Sequence, residues 1–202
     1  MFALVESGSI TQMINGNTGI TVDGVQHPRT IFTLWTEAER NAIGIYTVEI
    51  DKSKKKDEQW YVNTNITYSF DGSKVTGSYG DATAKAHADT LFTAQDETDG
   101  LGTEGDVKTE GLKTILIKEL KKEVGALLGG TDWYITRKTE KDTAIPSAIS
   151  THRDAVRAKQ AEMETAITNA SDTPALETLY TYTEQEDGSM TRPLGELPKL
   201  ED

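Results

Sequence analysis

Gly130-Thr131-Asp132-Trp133-Tyr134-Ile135-Thr136-Arg137-Lys138, followed by Ala144-Ile145-Pro146 and the run from Ser147 to Ala170, is the stretch that decides how the chain is read. Thr131-Asp132 is a helix-opening pair, and the helix it opens carries adjacent aromatics at Trp133 and Tyr134. Pro146 suits the first turn of a second helix, where its missing N–H costs nothing. In that second helix Ile149, Val156, Met163 and Ala170 recur at seven-residue intervals, flanked by Ala155, Ala166 and Ile167. A stripe so narrow, built of small side chains, fits close packing on one intrachain neighbour as an αα-hairpin. It also fits a weak coiled-coil seam between copies. Trp133 and Tyr134 have two readings as well: the core of the hairpin, or a docking anchor for another chain, since both residue types dominate interface hot spots.

Outward from this stretch the helical spacing continues upstream. Leu112, Ile115, Leu116, Leu120, Val124, Leu127 and Leu128 mark one helix, stopped by Gly129-Gly130. Asp81 is expected to cap another through about Asp96, with Ala84, Ala88, Leu91 and Phe92 on one side. Glu97 to Asp106, rich in glycine and acid, reads as a linker. Downstream, Asp172-Thr173-Pro174 opens a short helix with Leu176, Leu179 and Tyr180. The segment from Glu184 to Asp202, with Pro193, Pro198 and several acids, reads as an extended tail that orders against a neighbour.

The first eighty residues have the period of strands. Phe2 to Glu6 and Ser9 to Ile14 flank the turn Ser7-Gly8, and Ile20 to Val22 and Val25 flank Asp23-Gly24. Thr36 and Glu39 have capping-box spacing, and Gly44 sits where a left-handed cap would end that helix. Ile45 to Ile50 returns to strand with Tyr46, Val48 and Ile50 on one face. Lys52 to Lys56 reads as a solvated hairpin tip. Trp60 to Phe70 alternates over its full length and is expected to form one strand, turned at Asp71-Gly72 into Val75, Gly77 and Tyr79.

Composition narrows the function. The chain has 202 residues, no cysteine and a formal net charge of −12. That length allows one or two domains without staples. Lack of cysteine removes disulfides, thiol nucleophiles and zinc ribbons. The acidic surface opposes nucleic-acid and anionic-membrane binding. No run is long and apolar enough to span a membrane, and Met1 to Glu6 has no signal-peptide pattern. A mean hydropathy of −0.52 suits a protein with extended parts ordered by partners.

Candidate chemistries are weak. With Gly100 at position 6 of a calcium loop, Gln95 takes position 1 and Asp106 position 12, where Asp and a bidentate Glu are needed. His27, His87 and His152 share no helix turn and have no cysteine to complete a metal set. No nucleophile elbow or phosphate loop occurs. A glycosidase pair of carboxylates needs only two acids, but nothing singles out two. No catalytic, cofactor-binding or metal residue is therefore assigned.

Two patches resemble a known family. Phe2-Ala3-Leu4-Val5-Glu6 and Leu34-Trp35-Thr36-Glu37-Ala38-Glu39-Arg40-Asn41-Ala42-Ile43-Gly44-Ile45-Tyr46-Thr47-Val48 look like the start of small tail-region proteins of tailed bacteriophages. Thr131-Asp132-Trp133-Tyr134, Arg137-Lys138, Ile145-Pro146 and Arg153 resemble the helical module of phage tail assembly chaperone and tail-fibre assembly proteins. The patches stand in matching order along the chain. The resemblance implies a non-enzymatic task at a phage tail, in the virion after synthesis in the host cytoplasm. The first expectation is a structural adaptor at the tail or baseplate that attaches or organises fibres, with other tail proteins and its own copies as partners. The alternative is a fibre-assembly chaperone absent from the mature virion; a host-glycan hydrolase is the reading from a different class.

The expected fold is α+β. It comprises a small antiparallel β domain with an inserted helix (1–80), a helix and acidic linker (81–106), a helical hairpin domain (107–183) and an extended acidic tail (184–202). Partner contacts are expected at Trp133, Tyr134, Arg137, Arg153, Val156, Met163, Arg192, Leu194 and Leu197, with no nucleic acid and no membrane insertion.

Overall fold

The structure, a computed structural model, describes residues 1–200. The chain is α+β and divides between Thr83 and Ala84 into two compact units.

The first unit is built on turns that the sequence announces. β1 (Phe2–Glu6) and β2 (Ser9–Ile14) are joined at Ser7 and Gly8, both with positive φ, 52° and 77°. Two such residues make the turn whose twist matches an antiparallel pair. Asp23 and Gly24 repeat it, at 49° and 78°, between β3 (Ile20–Val22) and β4 (Val25–His27). A short helix α1 (Ile31–Leu34) leads to α2 (Glu37–Ala42), opened by the expected capping box. There Glu39 N–H donates to Thr36 Oγ1 at 3.3 Å, and Thr36 N–H donates to the Glu39 carboxylate at 2.7 Å. Gly44 (φ 79°) ends the turn; a Cβ there would lie 2.6 Å from the Val5 carbonyl oxygen, so only glycine fits.

The main sheet has the order β2-β1-β5-β8-β7, with β5 (Ile45–Asp51), β7 (Thr67–Phe70) and β8 (Val75–Ser78). Its β5–β8 pairing is parallel, while the other pairings are antiparallel. β8 thus inserts between β5 and β7. Lys52 to Lys56 is exposed, as solvated residues should be, but begins this wide connection instead of tipping a hairpin. Leu4 and Ile45 are register partners and face a core shared with Ile14, Ile20, Val22, Ile31 and Phe32. The opposite face carries Ala3, Tyr46, Val48, Ile50 and Val75, and the Tyr46 and Phe70 rings meet at 4.8 Å. A Cβ on Gly77 would lie within 3 Å of the Tyr68, Ile50 and Ile66 side chains, which explains a glycine inside a strand.

The single strand expected over Trp60 to Phe70 is instead broken into β6 (Tyr61–Val62) and β7. Side chains between them take over backbone groups. Asn63 bonds both the N–H and the C=O of Lys56, at 2.9 and 2.8 Å, and Thr64 Oγ1 accepts from Gly80 N–H at 2.6 Å. Such local bonds compete with the ladder that alternation alone would favour.

β9 (Thr83–Ala84) lies at the boundary between the units. The helix expected from Asp81 to Asp96 does not form: the chain is extended through β10 (Thr90–Leu91), and only α3 (Ala94–Thr98) is helical. The reason lies downstream. Residues 86–89 run across the start of α4 (Leu112–Gly129), whose first N–H groups need acceptors. Ala86 O accepts from Leu112 N–H at 2.9 Å, His87 O from Lys113 N–H at 3.0 Å, and Asp89 from Gly111 N–H at 2.7 Å. Glu97 to Asp106 is likewise an ordered corner and not a linker. Thr93 and Asp96 form a second capping box, and Phe92 exchanges backbone bonds with Gly105 and Asp106 ahead of β11 (Val107–Thr109).

α5 (Asp132–Lys141), α6 (Ser147–Asn169) and α7 (Thr173–Tyr180) complete the helices. α6 packs antiparallel on α4: Arg153 near its start reaches Leu128, and Lys113 Nζ donates to Thr168 O near its end. Asp172 caps α7 by accepting from Ala175 N–H at 2.8 Å. The tail does not extend freely. β12 (Thr183–Glu184) and β13 (Met190–Thr191) form a hairpin, after which Leu194 N–H donates to Leu179 O at 3.0 Å.

Candidate functional site

The heptad line of α6 resolves one open question. Ile149, Val156, Met163 and Ala170 are all buried, with Val156 0% exposed, and they face inward with α4 as neighbour. The stripe is an intrachain seam. Val156 and Met163, expected as partner contacts, are core residues, because a completed seam leaves them no surface.

α5 is different in kind: none of its residues is buried. It follows α4 directly, and the αα-hairpin is formed by α4 with α6, leaving α5 as an excursion at the turn. Trp133 is 51% exposed. Its ring lies 3.8 Å from that of Tyr134, centroid to centroid, with 32° between the planes. Arg137 covers both, 4.7 Å from the Trp133 centroid and 5.1 Å from that of Tyr134. Arg137 is four residues from Trp133 and three from Tyr134, the spacings that bring helical side chains together. The guanidinium attracts both rings by cation–π interaction. Arg137 Nε is buried without a hydrogen-bond partner.

The base of α5 is fastened from the other helix. Arg153, 6% exposed, donates to Leu128 O at 2.7 Å and to Thr131 Oγ1 at 2.6 Å, and its second nitrogen lies 2.8 Å from Asp132. Thr131 does not cap α5 with its side chain; its hydroxyl donates to Leu128 O and accepts from Arg153. Arg153 is therefore a positioning residue, not a contact offered to a partner. It adds a charged donor to the Leu128 carbonyl at the end of α4, which also accepts from the Thr131 N–H and hydroxyl, and ties the first turn of α5 to α6.

The C-terminal residues fall elsewhere. Leu194 and Leu197, 3% and 9% exposed, are inserted into their own unit and are not free to anchor a neighbour. Arg192 lies 5.4 Å from the Tyr180 ring centroid and 5.2 Å from that of Tyr182, and pairs with Glu196 at 2.8 Å. Burial pushes the Tyr180 hydroxyl up to about 12 against the pull of Arg192. Of the nine expected contact residues the structure brings Trp133, Tyr134 and Arg137 together at a surface, with Arg153 beneath them.

Sequence reasoning passed over Ile135, Lys138 and Lys141, which are exposed on the same helix. It also passed over the Asp187-Gly188 turn, which carries the same Asp-Gly pair as Asp23-Gly24 and Asp71-Gly72 and is a legible hairpin signal. Among the described residues no group of histidines and acids is placed to hold a metal, and no helix is long and apolar enough to cross a membrane. No family model, curated protein or solved structure matches the chain.

Proposed function

We propose that the protein is a non-enzymatic component of a bacteriophage tail, an adaptor at the tail or baseplate that attaches or organises fibres through protein–protein contacts. The observation that carries this reading is α5: a helix with no buried residue, holding a half-exposed Trp133 in a three-residue stack and clamped at its base by Arg153. Aromatics already stacked before contact have less freedom to lose on binding, which favours them as anchors. The same helix carries the residues by which the chain resembles tail-assembly proteins. Mass spectrometry of purified particles tests the proposal. A virion adaptor is recovered in stoichiometric amounts with the tail proteins. Absence from the particle, together with a higher yield of soluble fibre on co-expression, would instead assign the chaperone role.

A further inference from the structure

In the second unit two exposed elements carry opposite charge, and neither is covered by the rest of that unit. The first is the hairpin of β12 and β13. Every residue from Thr181 to Thr191 is exposed. The segment holds Glu184, Glu186 and Asp187 and no lysine or arginine, with Tyr182 and Met190 as exposed apolar groups. The second is α5. At 3.6 residues per turn Trp133, Arg137, Lys141, Tyr134 and Lys138 fall within about 140° of its circumference. Three cations thus share one face with two aromatic rings; of the two acids of the helix, Asp132 lies outside that face, turned to Arg153, and the exposed Glu140 sits at its edge, about 20° beyond Trp133. Among the described residues Arg137, Lys138, Lys141, Glu184, Glu186 and Asp187 form no salt bridge.

We infer that the acidic hairpin of one copy docks on the α5 face of a second copy. The inference rests on the docking role proposed for α5 and names its occupant. Charge complementarity argues for it: the acidic hairpin supplies carboxylates opposite Arg137, Lys138 and Lys141, and Met190 supplies a thioether suited to the Trp133 and Tyr134 rings. The chain as a whole is strongly acidic, so copies repel at long range. At physiological ionic strength that repulsion is screened beyond about 8 Å, and the local pairs decide the contact. Because the two surfaces differ, the contact is either exchanged reciprocally about a twofold axis or repeated head-to-tail in a ring or a filament.

Sedimentation equilibrium of the full chain at about 0.15 M salt tests this, over roughly 10 μM to 1 mM where weak pairing registers. The wild-type mass is expected to rise with concentration. K138E/K141E and E184K/E186K should each weaken association at least about tenfold. An equimolar mixture of the two variants should restore it, since each reversed surface then meets an opposite one. A wild-type chain that stays monomeric throughout, variants that associate as the wild type does, or a mixture that stays apart would each overturn the pairing. If circular dichroism shows that a variant has lost its fold, a synthetic Thr181–Thr191 peptide decides in its place. Dissociation of the wild type by the peptide supports the pairing, and indifference to it overturns it. A chain that is monomeric yet recovered in particles overturns this inference alone, whereas self-association without recovery in particles counts against the tail role alone.

Discussion

α5 and α6 follow each other in the chain and differ in almost everything that matters for a helix. α6 buries Ile149, Arg153, Val156, Met163 and Ile167; α5 buries nothing. Asp142, in the left-handed region at φ 52°, ends α5. The contrast teaches that aromatic content is a poor guide to which helix is core. The helix with Trp and Tyr is the displayed one. The helix of alanines and scattered aliphatics carries the seam, because small side chains let it approach α4 closely.

The largest effect that would break this contrast is expected from Val156→Asp. A carboxylate with no partner in the α4–α6 seam should cost at least about 4 kcal/mol and unfold the second unit; a two-step calorimetric scan should lose one transition and keep the one belonging to the first unit. Next comes Arg153→Ala, which leaves Leu128 O and Thr131 Oγ1 without their charged donor and should cost about 2–3 kcal/mol. In that variant amide exchange is expected to quicken in α5 more than in α6. If α6 loosens first, Arg153 serves the seam and not the displayed helix.

Leu194→Ala probes the tail. An extended tail would tolerate it, but a leucine buried against its own unit should cost about 2 kcal/mol, read as a lower denaturant midpoint. The smallest effect is acid-dependent and local. Asp96, held down to about 2 by Lys108 and by the N–H and hydroxyl of Thr93, has a folded value below its unfolded one. Its contribution to the Thr93–Lys108 corner is thus complete above about pH 4 and lost as pH falls toward 2. Amide protection at Phe92 and Gly105 should decline there while α6 stays protected.

Much of this was legible in the chain, for a common reason: turns and caps are written in adjacent residues. Ser7-Gly8, Asp23-Gly24, Asp71-Gly72, the Thr36–Glu39 box and the Asp172 cap each need only a few neighbours to form. The failures arose where a distant segment competed. Residues 86–89 gave up a helix to cap α4, and Asn63 and Thr64 broke a strand by bonding Lys56 and Gly80. The tail's acidity suggested a free arm, but Leu194 and Leu197 are two apolar points, enough to fold it back. For the candidate site, the residues were visible and their division of labour was not. The adjacent aromatics and the family resemblance named Trp133, Tyr134 and Arg137, but burial alone separates Arg153, Val156 and Met163 from them.

The central claim is that α5 is displayed for docking and contributes little to the fold. Trp133→Ala, introduced into the gene of the phage proposed to carry this protein, tests it most directly when copy number in purified particles is measured beside the melting transition of the purified variant. The account predicts a transition within about 1 kcal/mol of wild type and a protein missing from the particles. Wild-type copy number in the particle, or a variant that melts as a core mutant does, would contradict it.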